Sequence, residues 1–183
     1  MVKKRLKRSY RVAKYVVYKQ TIIDPIDHFW TFIGAFLGIA TIGFFHNQKF
    51  NDLDNVFLIG SFGASAVLVF GATNSPLAQP RNLVGGHLLS AIIGVVIYKL
   101  LPDQIWISSA LAVALSIVAM QITKTMHPPG GATALIAIIG SERIKDLGFN
   151  YIISPVLSGI IILLLIALIV NNIPKGRNYP YKH

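Results

Sequence analysis

Ile160-Ile161-Ile162-Leu163-Leu164-Leu165-Ile166-Ala167-Leu168-Ile169-Val170 is a run of eleven residues in which no side chain carries a polar atom. A helix on the surface of a soluble domain keeps a polar face at helical spacing. This run has none, and Leu88–Ile97 has almost none. Extended back to Asn150, the run reaches the roughly 20 helical residues needed to cross a hydrocarbon core of about 30 Å. Four further stretches are as long, near His28–His46, Val56–Thr73, Leu83–Leu101 and Ile105–Thr123. A sixth, Gly130–Gly140, is apolar but short. Over the 183 residues, 54% are hydrophobic and 13% charged, against about 25% charged in ordinary soluble domains. The reading is an all-α, polytopic helical bundle in a membrane, with the lipid bilayer as its first partner.

Charge placement orients it. Eight of the seventeen Lys and Arg precede the first stretch: Lys3, Lys4, Arg5, Lys7, Arg8, Arg11, Lys14 and Lys19. By the positive-inside rule this end is cytoplasmic. With six crossings, thirteen cations fall inside and four outside. With the short stretch made re-entrant, the balance is twelve against five. Six crossings are therefore preferred, in a cell (inner) membrane, with both termini cytoplasmic. The basic segment 1–24 reads as a topogenic, interfacial arm rather than a nucleic-acid arm, and 175–183 as a cytoplasmic tail. The first apolar stretch lacks a small-residue cleavage site and reads as a retained helix. There are no cysteines, which excludes disulfides and Cys metal sites. No phosphate-cradling loop, nucleophile elbow or His-Glu-x-x-His is present. The expectation is a non-enzyme with no cofactor.

A repeat at an offset of 68 residues organises the rest. Gly63-Ala64-Ser65-Ala66-Val67-Leu68 matches Gly131-Ala132-Thr133-Ala134-Leu135-Ile136, and Leu89-Ser90-Ala91-Ile92-Ile93 matches Leu157-Ser158-Gly159-Ile160-Ile161. Three crossings per half, about 28–101 and 104–171, make a 3+3 inverted repeat, a recurrent transporter design with its site on broken helices near the midplane. The aligned pair of interrupted segments is Gly60-Ser61-Phe62-Gly63-Ala64-Ser65 and His127-Pro128-Pro129-Gly130-Gly131-Ala132-Thr133. Proline cannot donate a backbone hydrogen bond and disfavours helix before it. A helix should restart at Pro128-Pro129, with Gly130 and Gly131 open to a ligand and free amides at its positive end. Both segments are expected to present a helix N-terminus to one small anion, with Ser61, Gly63, Ser65, Gly130, Gly131 and Thr133 lining the site. The alternative for the small residues is close helix packing.

The run from His127 to Leu135 resembles the signature of the HPP family of integral membrane proteins. Gly60–Ala66, Ser75-Pro76-Leu77-Ala78-Gln79-Pro80-Arg81-Asn82 and Gly85-Gly86-His87-Leu88-Leu89-Ser90 agree with it. The resemblance covers roughly Pro25 to Pro180, which makes 25–174 one HPP transmembrane domain. It implies a small transporter-like protein, and relatives in chloroplasts and cyanobacteria are associated with nitrite transport. The family is often described with four spans, fewer than the six read here.

Ionisable residues at membrane depth are functional candidates. His127 opens the broken helix, and His87 follows Gly85-Gly86 in an uncharged stretch. Either can donate to an anion or carry a coupled proton, or pack against a carbonyl. Arg81 is placed to guide an anion inward or to anchor topology. His28 and His46 read as interfacial, and Asp24 or Asp27 as a helix cap. The function expected is a channel or carrier for a small inorganic anion such as nitrite. The alternatives are a membrane interaction or sensory subunit without transport, with the two Gly-rich segments packed shut, and a membrane-embedded metalloenzyme, which needs several clustered histidines. Small residues would permit a homo-oligomer.

Overall fold

The computed structural model describes residues 24–47 and 52–181. The basic arm, read as interfacial, lies outside the described residues. Among the described residues, seven α-helices follow in order: α1 Pro25–Asn47, α2 Asp52–Gly71, α3 Pro80–Leu100, α4 Ile105–Thr123, α5 Pro129–Ile139, the short α6 Glu142–Asp146, and α7 Ser158–Val170. A 3-10 turn, Pro76–Ala78, precedes α3, and a π-helical turn, Ile152–Leu157, leads into α7. No strand occurs among the described residues.

Local chemistry sets the helix ends. Asp24 caps α1, its carboxylate accepting from the amides of Ile26 (3.0 Å) and Asp27 (3.2 Å), with Pro25 in the first turn. Prolines also open the 3-10 turn, α3 and α5, where a missing N–H costs nothing. Lys124 ends α4 in a left-handed conformation (φ 56°), which lets the chain reverse direction before Pro128-Pro129.

Among the described residues, four helices are long and apolar enough to cross a membrane: Pro25–Asn47, Pro80–Leu100, Ile105–Thr123 and Ile152–Val170. Gly60–Gly71 and Pro129–Ile139 are apolar but shorter. The first of these belongs to the 20-residue α2. The second, α5, rises only about 16 Å along its axis. The bundle of about six crossing elements expected from the sequence is thus present, and one of the six is a half-length helix.

Contacts give the directions. Ser61 meets Thr133 and Asp54 meets Ser141, so α2 and α5 are antiparallel. Gly86 faces Gly130 and Gly94 faces Ala134, so α3 and α5 are parallel. The segments Gly63–Leu68 and Gly131–Ile136, which match in sequence at an offset of 68, therefore lie on neighbouring antiparallel helices, α2 and α5. Helix α5 begins level with Gly86, about 9 Å up α3 from Pro80, and so starts inside the bundle rather than at its end.

Glycines make the packing possible where aromatic rings enter. A methyl on Gly34 would sit 2.4 Å from the Phe70 ring, and one on Gly159 2.4 Å from the Phe62 ring. Both rings are buried among Leu58, Ile160 and Leu163. The outer face inverts this pattern. Phe29, Phe32, Phe36, Phe44 and Phe45 of α1 are all more than half exposed, a surface that suits hydrocarbon rather than water. His46, read as interfacial, is buried instead, with its ring against Phe62.

The expected break at Gly60–Ser65 is not there. Helix α2 runs unbroken from Asp52 to Gly71. A glycine inside a helix costs only about 1 kcal/mol, and Ser65 Oγ lies 3.2 Å from the Ser61 carbonyl one turn back. Nothing in Gly60–Ser65 removes a backbone donor as proline does. The picture of two facing helix N-termini is corrected to one broken helix beside one continuous helix.

The tail after α7 folds back onto the bundle end that holds Pro25, Gly71 and Pro80. Arg177 pairs with the Asp27 carboxylate. It also donates to the Asp27 carbonyl (2.7 Å), the Thr31 hydroxyl (2.6 Å) and the Asn171 amide oxygen (3.2 Å). Tyr179 exchanges two hydrogen bonds with the Asn172 side chain and donates its hydroxyl to the Ala78 carbonyl (2.7 Å). Of the two acids expected to cap α1, Asp24 does so and Asp27 holds Arg177.

Candidate functional site: a buried histidine–hydroxyl cluster

Five residues singled out in the sequence come together at the break. Helix α2 contributes Ser61 and Ser65, one turn apart on one face. Helix α3 contributes His87, α5 contributes Thr133, and His127 comes from the link between α4 and α5. All five are buried, with Ser65, His87 and His127 fully so. The imidazole rings of His87 and His127 lie 4.9 Å apart, centroid to centroid.

Hydrogen bonds join them in a line. Ser61 Oγ lies 2.9 Å from Thr133 Oγ1, and Thr133 Oγ1 lies 2.7 Å from His87 Nδ1. His87 Nε2 is 2.8 Å from Ser65 Oγ, which is 2.9 Å from His127 Nε2. His127 Nδ1 is 2.8 Å from the carbonyl of Leu77 in the 3-10 turn. Ser61 also reaches the Pro129 carbonyl (3.2 Å), and Tyr151 donates its hydroxyl to the Thr133 carbonyl (2.9 Å). The cluster therefore draws on every layer around the break. An unmatched polar group at this depth costs on the order of 1–3 kcal/mol, which explains why the line is so completely bonded.

The prolines shape the site more than the glycines. Pro128 and Pro129 have no N–H. The His127 amide points to the Met120 sulfur (3.5 Å), and the amides of Gly130 and Gly131 bond the carbonyls of His127 and Pro128. The positive end of α5 thus offers no free amide among these residues, and the donors present are side chains. Gly130 is a packing glycine: a Cβ there would lie 2.8 Å from both the Gly86 carbonyl oxygen and Ser90 Oγ. At Gly131 an added Cβ would meet only Val113, at 3.9 Å, and at Gly63 nothing within 4 Å. A side chain added at either glycine would not meet the cluster. Arg81 stands apart too, exposed, with its guanidinium on the Thr123 carbonyl (2.7 Å), where it ties the start of α3 to the end of α4.

Sequence reasoning missed three contributors. The Leu77 carbonyl was hidden because only a side chain shows in a motif, although Ser75-Pro76 and Gln79-Pro80 mark a rigid turn. Tyr151 has no local signal. Asp54 accepts from the Ser141 amide (3.0 Å) and hydroxyl (2.5 Å), pinning α2 to the end of α5. No motif around it marks this role. Among the described residues, no group of three or more His, Cys, Asp or Glu is placed to hold a metal ion.

Taken together, these features define a multi-pass helical membrane protein with a proline-broken half-helix and a buried polar cluster beside it. The family description "HPP, transmembrane region" matches residues 20–180, and the chain belongs to the HPP transmembrane family. Two transmembrane proteins of Dictyostelium discoideum are each 49% identical to it over 154 residues, 82% of this chain. The match covers 54% of one and 49% of the other, so the chain spans about half the length of these curated relatives. No solved structure matches it.

Proposed function

We propose that this protein carries a small inorganic anion across its membrane, with nitrite the candidate that the family resemblance suggests, and that Ser61, Ser65, His87, His127 and Thr133 form its binding region. One observation carries the reading: two histidines and three hydroxyls are gathered at membrane depth beside the break that Pro128-Pro129 makes before α5. Burying such groups is costly, and in membrane bundles they mark solute or proton pathways. Hydroxyls and imidazoles can turn their donors toward an anion, and a protonated imidazole offsets its charge. The antiparallel placement of α2 and α5 supports inverted copies, the design in which alternating access moves one half against the other. We place the basic arm and both chain ends on the cytoplasmic side of a cell membrane.

The test is reconstitution into liposomes with a nitrite gradient. Nitrite flux above empty vesicles, lost in His127→Ala, is the expected result. No excess flux of nitrite, nitrate, formate or chloride sinks the proposal. A second reading, a membrane interaction or sensory subunit without transport, is favoured by the direct packing of Ser61 and Ser65 against Thr133 and His127. Stable, well-folded protein with no flux of any of these anions is what that reading expects.

A further inference from the structure

The hydrogen-bond line has a direction, and a single carbonyl sets it. The Leu77 oxygen only accepts, so His127 Nδ1 bears a proton. A neutral His127 then has a bare Nε2, which must accept, and the Ser65 hydroxyl is its donor. Ser65 has spent its one proton, so it accepts from His87 Nε2–H. His87 Nδ1 is therefore bare and accepts from the Thr133 hydroxyl, which in turn accepts from Ser61. Each tautomer follows from its neighbour.

A second complete arrangement exists with one more proton. Let a proton arrive at Ser61 Oγ. Ser61 passes its own proton to Thr133, Thr133 to His87 Nδ1, His87 from Nε2 to Ser65, and Ser65 to His127 Nε2. No heavy atom need move. His127 is now an imidazolium, His87 has changed tautomer, and each hydroxyl again has one proton. Ser61 donates to the Pro129 carbonyl, 3.2 Å away. Every bond made in the neutral state has a counterpart in the charged one, so the line holds five exchangeable protons or six and is satisfied in both.

We propose that Ser61, Thr133, His87, Ser65 and His127 are a one-proton relay, and that the anion crosses with one proton, held on His127 while the anion is bound. This rests on the transport reading for its purpose but on the hydrogen-bond geometry for its path. The groups facing the line support a path rather than a permanent ion pair. From just before the π-helical turn comes the Tyr151 hydroxyl, which donates to a backbone carbonyl. From α4 comes the Met120 sulfur, and Ser90 of α3 lies across from Gly130. Beyond the Phe62 ring lies His46, with ring centroids 5.7 Å from Phe62 to His87 and 6.0 Å from Phe62 to His46. The carboxylate of Asp54 sits farther along α2, on Ser141, and Arg81 is at the bundle edge on Thr123. The charge that stabilises a protonated His127 is therefore the anion itself.

Two measurements on the full chain in lipid test it. Nitrogen-15 spectra of labelled histidines in the anion-free protein should show His127 protonated at Nδ1 and His87 at Nε2. The opposite tautomer on either ring overturns the relay. Proteoliposomes loaded with a pH dye should then take up protons when a nitrite gradient is imposed, about one per nitrite. Thr133→Val, which keeps the shape and removes the hydroxyl, should cut proton uptake at least tenfold. Ser65→Ala does the same job should the first variant fold poorly. Nitrite flux without proton uptake refutes the relay and leaves the transport reading standing. No nitrite flux removes the transport reading, and the histidine tautomers then decide the relay, the opposite tautomer on either ring overturning it.

Discussion

Two segments that the repeat aligns, Gly60-Ser61 in α2 and Pro128-Pro129 before α5, end up with opposite structures. The first lies within a continuous helix and the second breaks one. Both are flanked by small residues, so glycine content does not separate them. Proline does, through the missing donor and the steric clash with the preceding turn. The difference makes the site: α2 stays straight and presents Ser61 and Ser65 on one face, while the break lets His127 turn inward to meet them. The difference between these two segments matters more here than their likeness in sequence.

The largest test of this comparison is to make the first copy like the second. Gly60→Pro should cost about 3 kcal/mol or more, read as a fall in unfolding midpoint in detergent and as loss of helical circular dichroism. A variant as stable as the parent would show that α2 tolerates a break and that the contrast is accidental. Next is Gly130→Ala, which drives a methyl against the Gly86 backbone and Ser90. It should cost about 1–3 kcal/mol by overpacking on the same denaturation assay, whereas Gly131→Ala, next along the chain, should be close to neutral. Ser65→Ala removes the atom shared by both histidines and should cost about 1–2 kcal/mol as two ring nitrogens lose their partner. Smallest is Gly63→Ala. It meets no atom within 4 Å and should be neutral or stabilising by up to about 1 kcal/mol. A clear loss there would mean that Gly63 has a role other than allowing the helix.

How legible was this in the sequence? The crossings were, because hydrocarbon leaves a composition signal that packing does not override, as at Ile160–Val170. The break at Pro128-Pro129 was legible for the same kind of reason, since proline acts locally. Five cluster residues could be singled out by type, as polar groups in apolar surroundings. What could not be read was which of them converge. Arg81 and Gly63 looked as suitable as Ser61, yet they point to an edge and to open space. Facing is decided by how α2 rotates against α5, which depends on Phe62 filling the gap at Gly159 and Phe70 that at Gly34. The mistaken break at Gly60–Ser65 came from giving glycine the weight of proline.

Arg177 carries a consequence of a practical kind. Its guanidinium collects the start of α1, through Asp27 and Thr31, and the end of α7, through Asn171. Two residues further on, Tyr179 holds the turn whose Leu77 carbonyl orients His127. A short stretch near the C-terminus is thus a keystone for elements that the chain places about 150 residues apart. A deletion or affinity tag that pulls on this stretch tampers with the histidine cluster from a distance, and an inactive preparation made that way would say nothing about the native protein.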